Sequence, residues 1–211
     1  MSYSRAVARS RKRPDVRREE ILRAAARLIE QRGTSLLRIT DVAAELGVSS
    51  GLVLYHFESK DALIAEAFSW AAQQDLDRLA TMVAGAGSAQ DRLVAALSWY
   101  APTGRAKGWR LWIEGWAAGL REPMLRQVGR ELDLAWKESL TAIIQEGVAS
   151  GEFAAGADAR GAAWRITALL DGLAVQTIVH RGVVSRAQLM GWTMHAVAGE
   201  LGLEPEALPH P

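Results

Sequence analysis

Apolar residues recur three and four positions apart along most of this chain, and no window alternates convincingly with period two. That spacing lines up one face of an α-helix, whereas a half-buried strand needs strict alternation. The expected fold is therefore all-α. Caps and breakers divide the pattern into about nine helices. The first is expected from Asp15 to Gln31, with Ile21, Leu22, Ala25, Leu28 and Ile29 on one face and Gly33 ending it. Two short helices follow, Ile39 to Leu46 and Ser50 to His56, with Gly47 in the turn between them. Ser59 can cap a fourth, Lys60 to Met82, which the sequence AGAG at 84–87 breaks. Ser88 with Asp91 has capping-box spacing and opens a fifth helix that runs to Tyr100; a sixth is expected from Ala106 to Leu120. Pro123 suits the first turn of a seventh that reaches Ser150. Asp158 can cap an eighth, extending to His180, and Ser185 with Gln188 forms a second capping box before a ninth that ends at Leu201. Residues 204–211 read as a frayed tail.

A chain of 211 residues can bury a real core without metal or disulfide support. It has no Cys, which excludes disulfides, thiolate zinc sites and cysteine nucleophiles. No apolar run approaches the roughly 20 residues of a membrane span, and the amino terminus lacks a signal-peptide core, so a soluble, cytoplasmic protein is expected. The four histidines, His56, His180, His195 and His210, are scattered and lack an acidic cluster at metal-ligand spacing. With no Gly-rich phosphate loop or nucleophile elbow either, a helical enzyme is the weaker alternative, and no cofactor or metal is expected.

Charge is unevenly divided. Residues 1–18 hold seven Arg and Lys against the single acid Asp15, in a chain whose net charge is +1. A basic arm over 1–14, carrying Arg9, Arg11, Lys12 and Arg13, is a common footprint of phosphate binding, and equally the composition of a solubilising tail. Composition shifts again near residue 60, where short helices give way to longer, Trp-rich ones. The expected organisation is a small helical domain over 15–62 and a larger helical domain over 63–203.

Two short helices joined by a tight Gly turn have the form of a helix-turn-helix, whose second helix enters the DNA major groove. Val42, Ala43 and Leu46 give the first helix a buried face, and Val48, Val53 and Phe57 hold the turn and second helix. Ser50, Gly51, Leu52, Leu54 and His56 are left facing outward with Tyr55 at the flank, while Thr40 and Lys60 frame the surface as phosphate donors and Ser49 at the turn is a further DNA-binding candidate. The stretch RITDVAAELGVSSGLVLYHFESKDAL, Arg38 to Leu63, closely resembles the amino-terminal motif of the TetR family of bacterial transcription regulators. The match includes Thr40, Ala43, Gly47, Val48, Ser49, Gly51, Phe57, the Ser59-Lys60 pair and Leu63. In one departure, many family members carry Tyr where this chain has Leu54; here the ring is at Tyr55, about 100° further round the helix.

That resemblance implies a carboxyl-terminal domain for effector binding and dimerisation. WRLWIEGWAAGLREPMLR and LLDGLAVQ, at 169–176, resemble the regulatory domain of the subgroup that includes the choline-responsive regulator of betaine synthesis. Trp109, Trp112 and Trp116 share a face of the sixth helix, and Trp70 and Trp99 lie on neighbouring ones. Such rings can be core and dimer packing, or an aromatic cage for a cation with Glu114 or Asp171 as counter-charge. The resemblance also implies that the eighth and ninth helices pair two subunits; their apolar residues Ile166, Leu170, Leu173, Leu189, Trp192 and Val197 are expected at that interface, or for some of them in the internal core.

The expected function is a DNA-binding regulator, a repressor by family precedent. It would bind a palindromic operator as a homodimer and be released by a small effector that is cationic, or aromatic and apolar. A sequence-neutral architectural DNA binder is the alternative within DNA-binding proteins.

Overall fold

The computed structural model describes residues 14–102, 108–204 and Leu208, and all regular structure among them is helical. In chain order the helices are α1 (Pro14–Arg32), α2 (Ile39–Leu46), α3 (Ser50–His56), α4 (Lys60–Val83), α5 (Ala89–Tyr100), α6 (Trp109–Gly119), α7 (Pro123–Ser150), α8 (Ala159–Ile178) and α9 (Arg186–Leu201). The basic arm at Arg9, Arg11, Lys12 and Arg13 lies outside the described residues, as does the expected start of the sixth helix at Ala106.

Most helix ends follow from the side chains that satisfy their free backbone groups. Gly47 ends α2 at φ 64°, ψ 39°, a left-handed conformation that costs other residues a Cβ clash. Ser49 caps α3 by accepting from the Leu52 amide at 3.2 Å, and Ser59 accepts from Ala62 at 3.0 Å at the start of α4. The Ser185–Gln188 box is reciprocal, with both hydrogen bonds formed. At α5 only half of the expected box is present: Ser88 accepts from the Asp91 amide at 2.9 Å, without a return bond from the acid. Asp is one methylene shorter than the Glu or Gln that closes such a box. Asp158 caps α8 through the Gly161 amide at 3.0 Å, and α8 stops at Ile178, two residues before the expected His180.

The chain divides into two compact units, one ending at Ala67 and the other beginning at Phe68, so the division falls within α4. In the first unit the buried side chains include Ile21, Leu22, Leu28 and Ile29 of α1, Leu37 before α2, Val42 and Ala43 of α2, Val53 of α3, then Phe57, Leu63 and Ile64. Arg27 bonds Glu45 through both Nε (3.1 Å) and Nη2 (2.5 Å), tying α1 to α2. Arg18 lies 4.9 Å from the Phe57 ring centroid and pairs with Glu66.

In the second unit the core runs through α5, α7, α8 and α9, with Leu79 of α4, Leu93 and Leu97, Leu140, Ile143 and Ile144, Ile166 and Leu170, Met194 and Leu201. Phe68 packs against α6 where Gly115 leaves room: a Cβ there would stand 2.6 Å from the ring. Helix α8 buries Ile166, Leu170 and Leu173 on one side and exposes Trp164, Ala168 and Gly172 on the other, with Val179 exposed just past its end, which makes that second side a candidate surface.

Candidate functional site

Two surfaces carry a functional reading, one in each unit. In the first, Val53 and Phe57 are buried and fix α3 against α1 and α2, which decides what the remaining residues of α3 can do. Gly51, Leu54 and Tyr55 are exposed, Tyr55 by 81% and Leu54 by 48%, while Ser50 and His56 are half-buried. Tyr55 stands edge-on to His56, ring centroids 5.3 Å apart. Burial, with the charges of Arg18 and Arg17, lowers the His56 pKa. A neutral imidazole offers one donor and one acceptor to a base edge. Thr40 is exposed on the first turn of α2.

Two of the expected DNA-binding residues have local work as well. The Ser49 hydroxyl caps α3, and the Lys60 ammonium donates to the Ser35 carbonyl at 3.1 Å, pinning the loop before α2. Arg38, passed over in the sequence, is exposed immediately before α2, and its backbone carbonyl accepts from Asp41 and Val42. An exposed cation one residue before the first helix of the short pair is the sequence signal that makes it a candidate phosphate donor.

The second surface is a connected aromatic cluster. Phe68 meets Trp112 (4.9 Å between centroids), Trp112 meets Trp116 (6.0 Å), Trp116 meets Trp109 (6.3 Å), and Trp109 meets Tyr100 (4.7 Å). Tyr100 then stacks on Trp136 (4.3 Å), which stacks on Trp99 (5.8 Å). The Trp109 indole N–H donates to the Tyr100 carbonyl at 2.6 Å and sets the start of α6 on the end of α5. The structure thus brings together Trp99, Trp109, Trp112 and Trp116; Trp70 and Glu114 are half-buried on α4 and α6.

Charge enters this cluster from two aspartates. Asp171 accepts from the Tyr100 hydroxyl at 2.9 Å, and Arg165, six residues before it on α8, is paired with Glu200 and Asp158 instead. Burial raises the Asp171 pKa to about 6, against the opposing pull of the Tyr100 hydrogen bond and Lys137. Burial likewise raises Asp75 to about 6, with Arg78 opposing. Tyr100 is pushed well above its ordinary value by burial first and then by Asp171. Asp75, Tyr100, Trp136 and Lys137 were not singled out from the sequence as site residues. Asp75 could have been: it follows Phe68 by seven and Ala72 by three and precedes Leu79 by four, all buried, so it stands in a core register.

Of the six residues expected at a subunit interface, Ile166, Leu170, Leu173, Leu189 and Val197 are buried within this chain and pack its own core. Trp192 faces outward, 49% exposed, as does Trp164 at 44%, with the Lys137 ammonium 4.7 Å from the Trp164 ring centroid.

Comparison with known proteins agrees on both units. The family described as bacterial regulatory proteins, tetR family, matches residues 21–67, and BetI-type transcriptional repressor, C-terminal, matches 89–202. An HTH-type transcriptional regulator BetI of Stenotrophomonas maltophilia is 30% identical over 121 residues, 56% of this chain and 62% of that protein. The BetI regulator of Burkholderia mallei is 30% identical over 163 residues, 75% of this chain and 80% of its own length. A putative transcriptional regulator from Saccharomonospora viridis, solved in complex with choline, superposes with a TM-score of 0.77 at 29% identity, over 86% of this chain and 94% of that one.

Proposed function

The chain belongs to the TetR family of bacterial transcription regulators, with a BetI-type carboxyl-terminal domain, and on that premise we propose that it is a homodimeric repressor whose hold on a palindromic operator is released by a small cation. The observation that carries the effector half is the aromatic cluster with Asp171 set into it. Electron-rich ring faces and a carboxylate of low solvation are what a cation finds favourable, and the choline-bound relative from Saccharomonospora viridis is consistent with that chemistry.

On the DNA side, α3 enters the major groove with Ser50, Gly51, Leu54, Tyr55 and His56, while Thr40, Lys60 and Arg38 hold phosphates and Ser49 sets the start of the helix. Leu54 supplies apolar contact, suited to a thymine methyl, where many relatives have a tyrosine hydroxyl. The arm residues Arg9, Arg11, Lys12 and Arg13 add contacts to phosphate or the minor groove. Removing residues 1–13 is expected to lower the slope of log affinity against log salt by about 0.9 for each phosphate the arm neutralises. An unchanged slope would reduce the arm to a tail.

A dimer is needed to read a palindrome. The outward faces of α8 and α9 suit that role. Trp164, Ala168, Gly172, Gln176 and Val179 form one exposed stripe, and Gln188, Trp192, His195 and Gly199 form another, mostly uncharged and with small residues between the large ones. Exposed apolar stripes on adjacent helices favour a four-helix pairing with a second copy. Trp192→Glu sets two carboxylates into that face of each pair, and sedimentation at micromolar concentration is expected to shift from dimer to monomer with operator affinity lost alongside. A variant that sediments as the parent does would move the interface elsewhere.

The architectural alternative is separated by competition. At physiological salt, unrelated duplex should displace a labelled operator only at roughly a thousandfold excess or more. Equal competition by any duplex would favour the sequence-neutral reading.

A further inference from the structure

We propose that the effector of this chain is a dication, an apolar linker with a positive charge at each end, one end held by Asp75 and the other by Asp171. This rests on the effector reading given above and names the class of ligand. Asp75 on α4 and Asp171 on α8 both stand in buried-face registers of their helices, where a carboxylate without a cation is costly. Neither forms an ion pair with a described residue. Asp171 takes one hydrogen bond, from Tyr100, and that bond leaves its second oxygen free to accept from a ligand. Asp75 Oδ2 lies 3.0 Å from the place a Cβ would occupy on Gly108, beside the Trp112 indole, so the absence of a side chain at 108 keeps that carboxylate open to the rings of α6.

The two carboxylates flank one aromatic run. Trp112 is beside Asp75, Tyr100 is bonded to Asp171, and Trp109 and Trp116 join them. The nearby charges do not remove the need for two cations. Asp133 and Lys137 satisfy each other on α7, leaving Asp171 the excess acid of that trio, and Arg78 is exposed and directed over Trp99, 5.9 Å from the ring centroid. A monocation such as choline can answer one carboxylate and leaves the other unmatched.

The pH dependence follows from the same groups. Among the described residues Asp75 is opposed by Arg78, and Asp171 faces Tyr100, Lys137 and Asp133. Both carboxylates take up protons as pH falls through about 6, so cation affinity falls with them. A ligand that engages both loses affinity about a hundredfold per pH unit well below 6, and a ligand that engages one loses about tenfold.

The test is calorimetric titration of the full chain with 1,4-diaminobutane, 1,6-diaminohexane and hexamethonium, set against butylamine, choline and tetramethylammonium, at pH 5.0 to 8.0. At least one dication is expected to bind ~30-fold or more tighter than every monocation at pH 7.5, with the steeper pH dependence. Asp75→Asn and Asp171→Asn are each expected to bring the dication down to monocation affinity, and circular dichroism verifies that each variant is folded. Choline or butylamine binding as tightly as the best dication would overturn the proposal and leave the cationic-effector reading standing. Binding of none of the six would overturn both.

Discussion

Gly51→Glu is expected to cost at least ~100-fold in operator affinity while the protein melts as the parent does. The glycine is exposed on α3, its φ lies in the ordinary negative range, and a Cβ added there meets only the Ser49 hydroxyl at 3.9 Å. Glutamate therefore fits, and it is a better helix former than glycine. What changes is charge: a carboxylate stands on the face of the recognition helix that must approach a wall of phosphates, and like charges forced together across an interface cost several kcal/mol. Thermal melting by circular dichroism, paired with fluorescence anisotropy on a labelled operator, separates the two effects. Parent-like binding by a folded Gly51→Glu protein would mean that α3 is not what reads DNA.

The second large effect concerns stability. The double variant Asp75→Asn, Asp171→Asn is expected to be more stable than the parent at pH 7.5, by about 1–2 kcal/mol per site, and to lose the parent's gain in stability on acidification. Both aspartates titrate near 6 in the folded chain because burial disfavours their charged form, whereas an exposed aspartate titrates near 3.9. Between those values the folded chain binds more protons than the unfolded one, so stability falls as pH rises from about 4 to 6 and stays low above it. Neutral Asn keeps the shape and can still accept from Tyr100, and it removes the charge that is costly to bury. Urea melts at pH 5.0 and 7.5 measure this directly. A parent whose stability rises from pH 5.0 to 7.5 in the second unit, or a variant less stable at 7.5, would contradict it. Groups that lower stability at working pH are what a ligand site carries and a finished core avoids.

Much of this protein was legible in its sequence because local chemistry decides it. The turn at Gly47, the caps at Ser49, Ser59, Asp158 and Ser185, and the anchors Val53 and Phe57 need only a few neighbours to fix them, and all are where the spacing put them. The exposed face of α3 followed, since burying Val53 and Phe57 leaves Gly51, Leu54 and Tyr55 outside.

Other features depend on which of two apolar faces a helix turns inward, and periodicity does not say. In α8 both the stripe with Ile166, Leu170 and Leu173 and the stripe with Trp164, Ala168 and Gly172 lack charge; the first packs the chain's own core and the second is exposed. The same holds for Leu189 and Val197 against Trp192 in α9. The aromatic cluster needed five helices to be brought together before Tyr100 and Asp171 could be seen as partners. Asp75 is a different case, since its register among Phe68, Ala72 and Leu79 already marks an acid on a core face. Lys60 shows the limit of reading charge alone: its ammonium is bonded to the Ser35 carbonyl, so a basic residue near a recognition helix can also hold a loop in place.

Operator-specific binding by a dimer is tested most directly by selecting bound duplexes from a random DNA pool with the intact protein at physiological salt. One palindrome is expected to be enriched, with two half-sites about one helical turn apart or a multiple of it, bound by a dimer and lost in Trp192→Glu. Recovery of unrelated sequences with no shared half-site, or a single asymmetric site bound by a monomer, would contradict it.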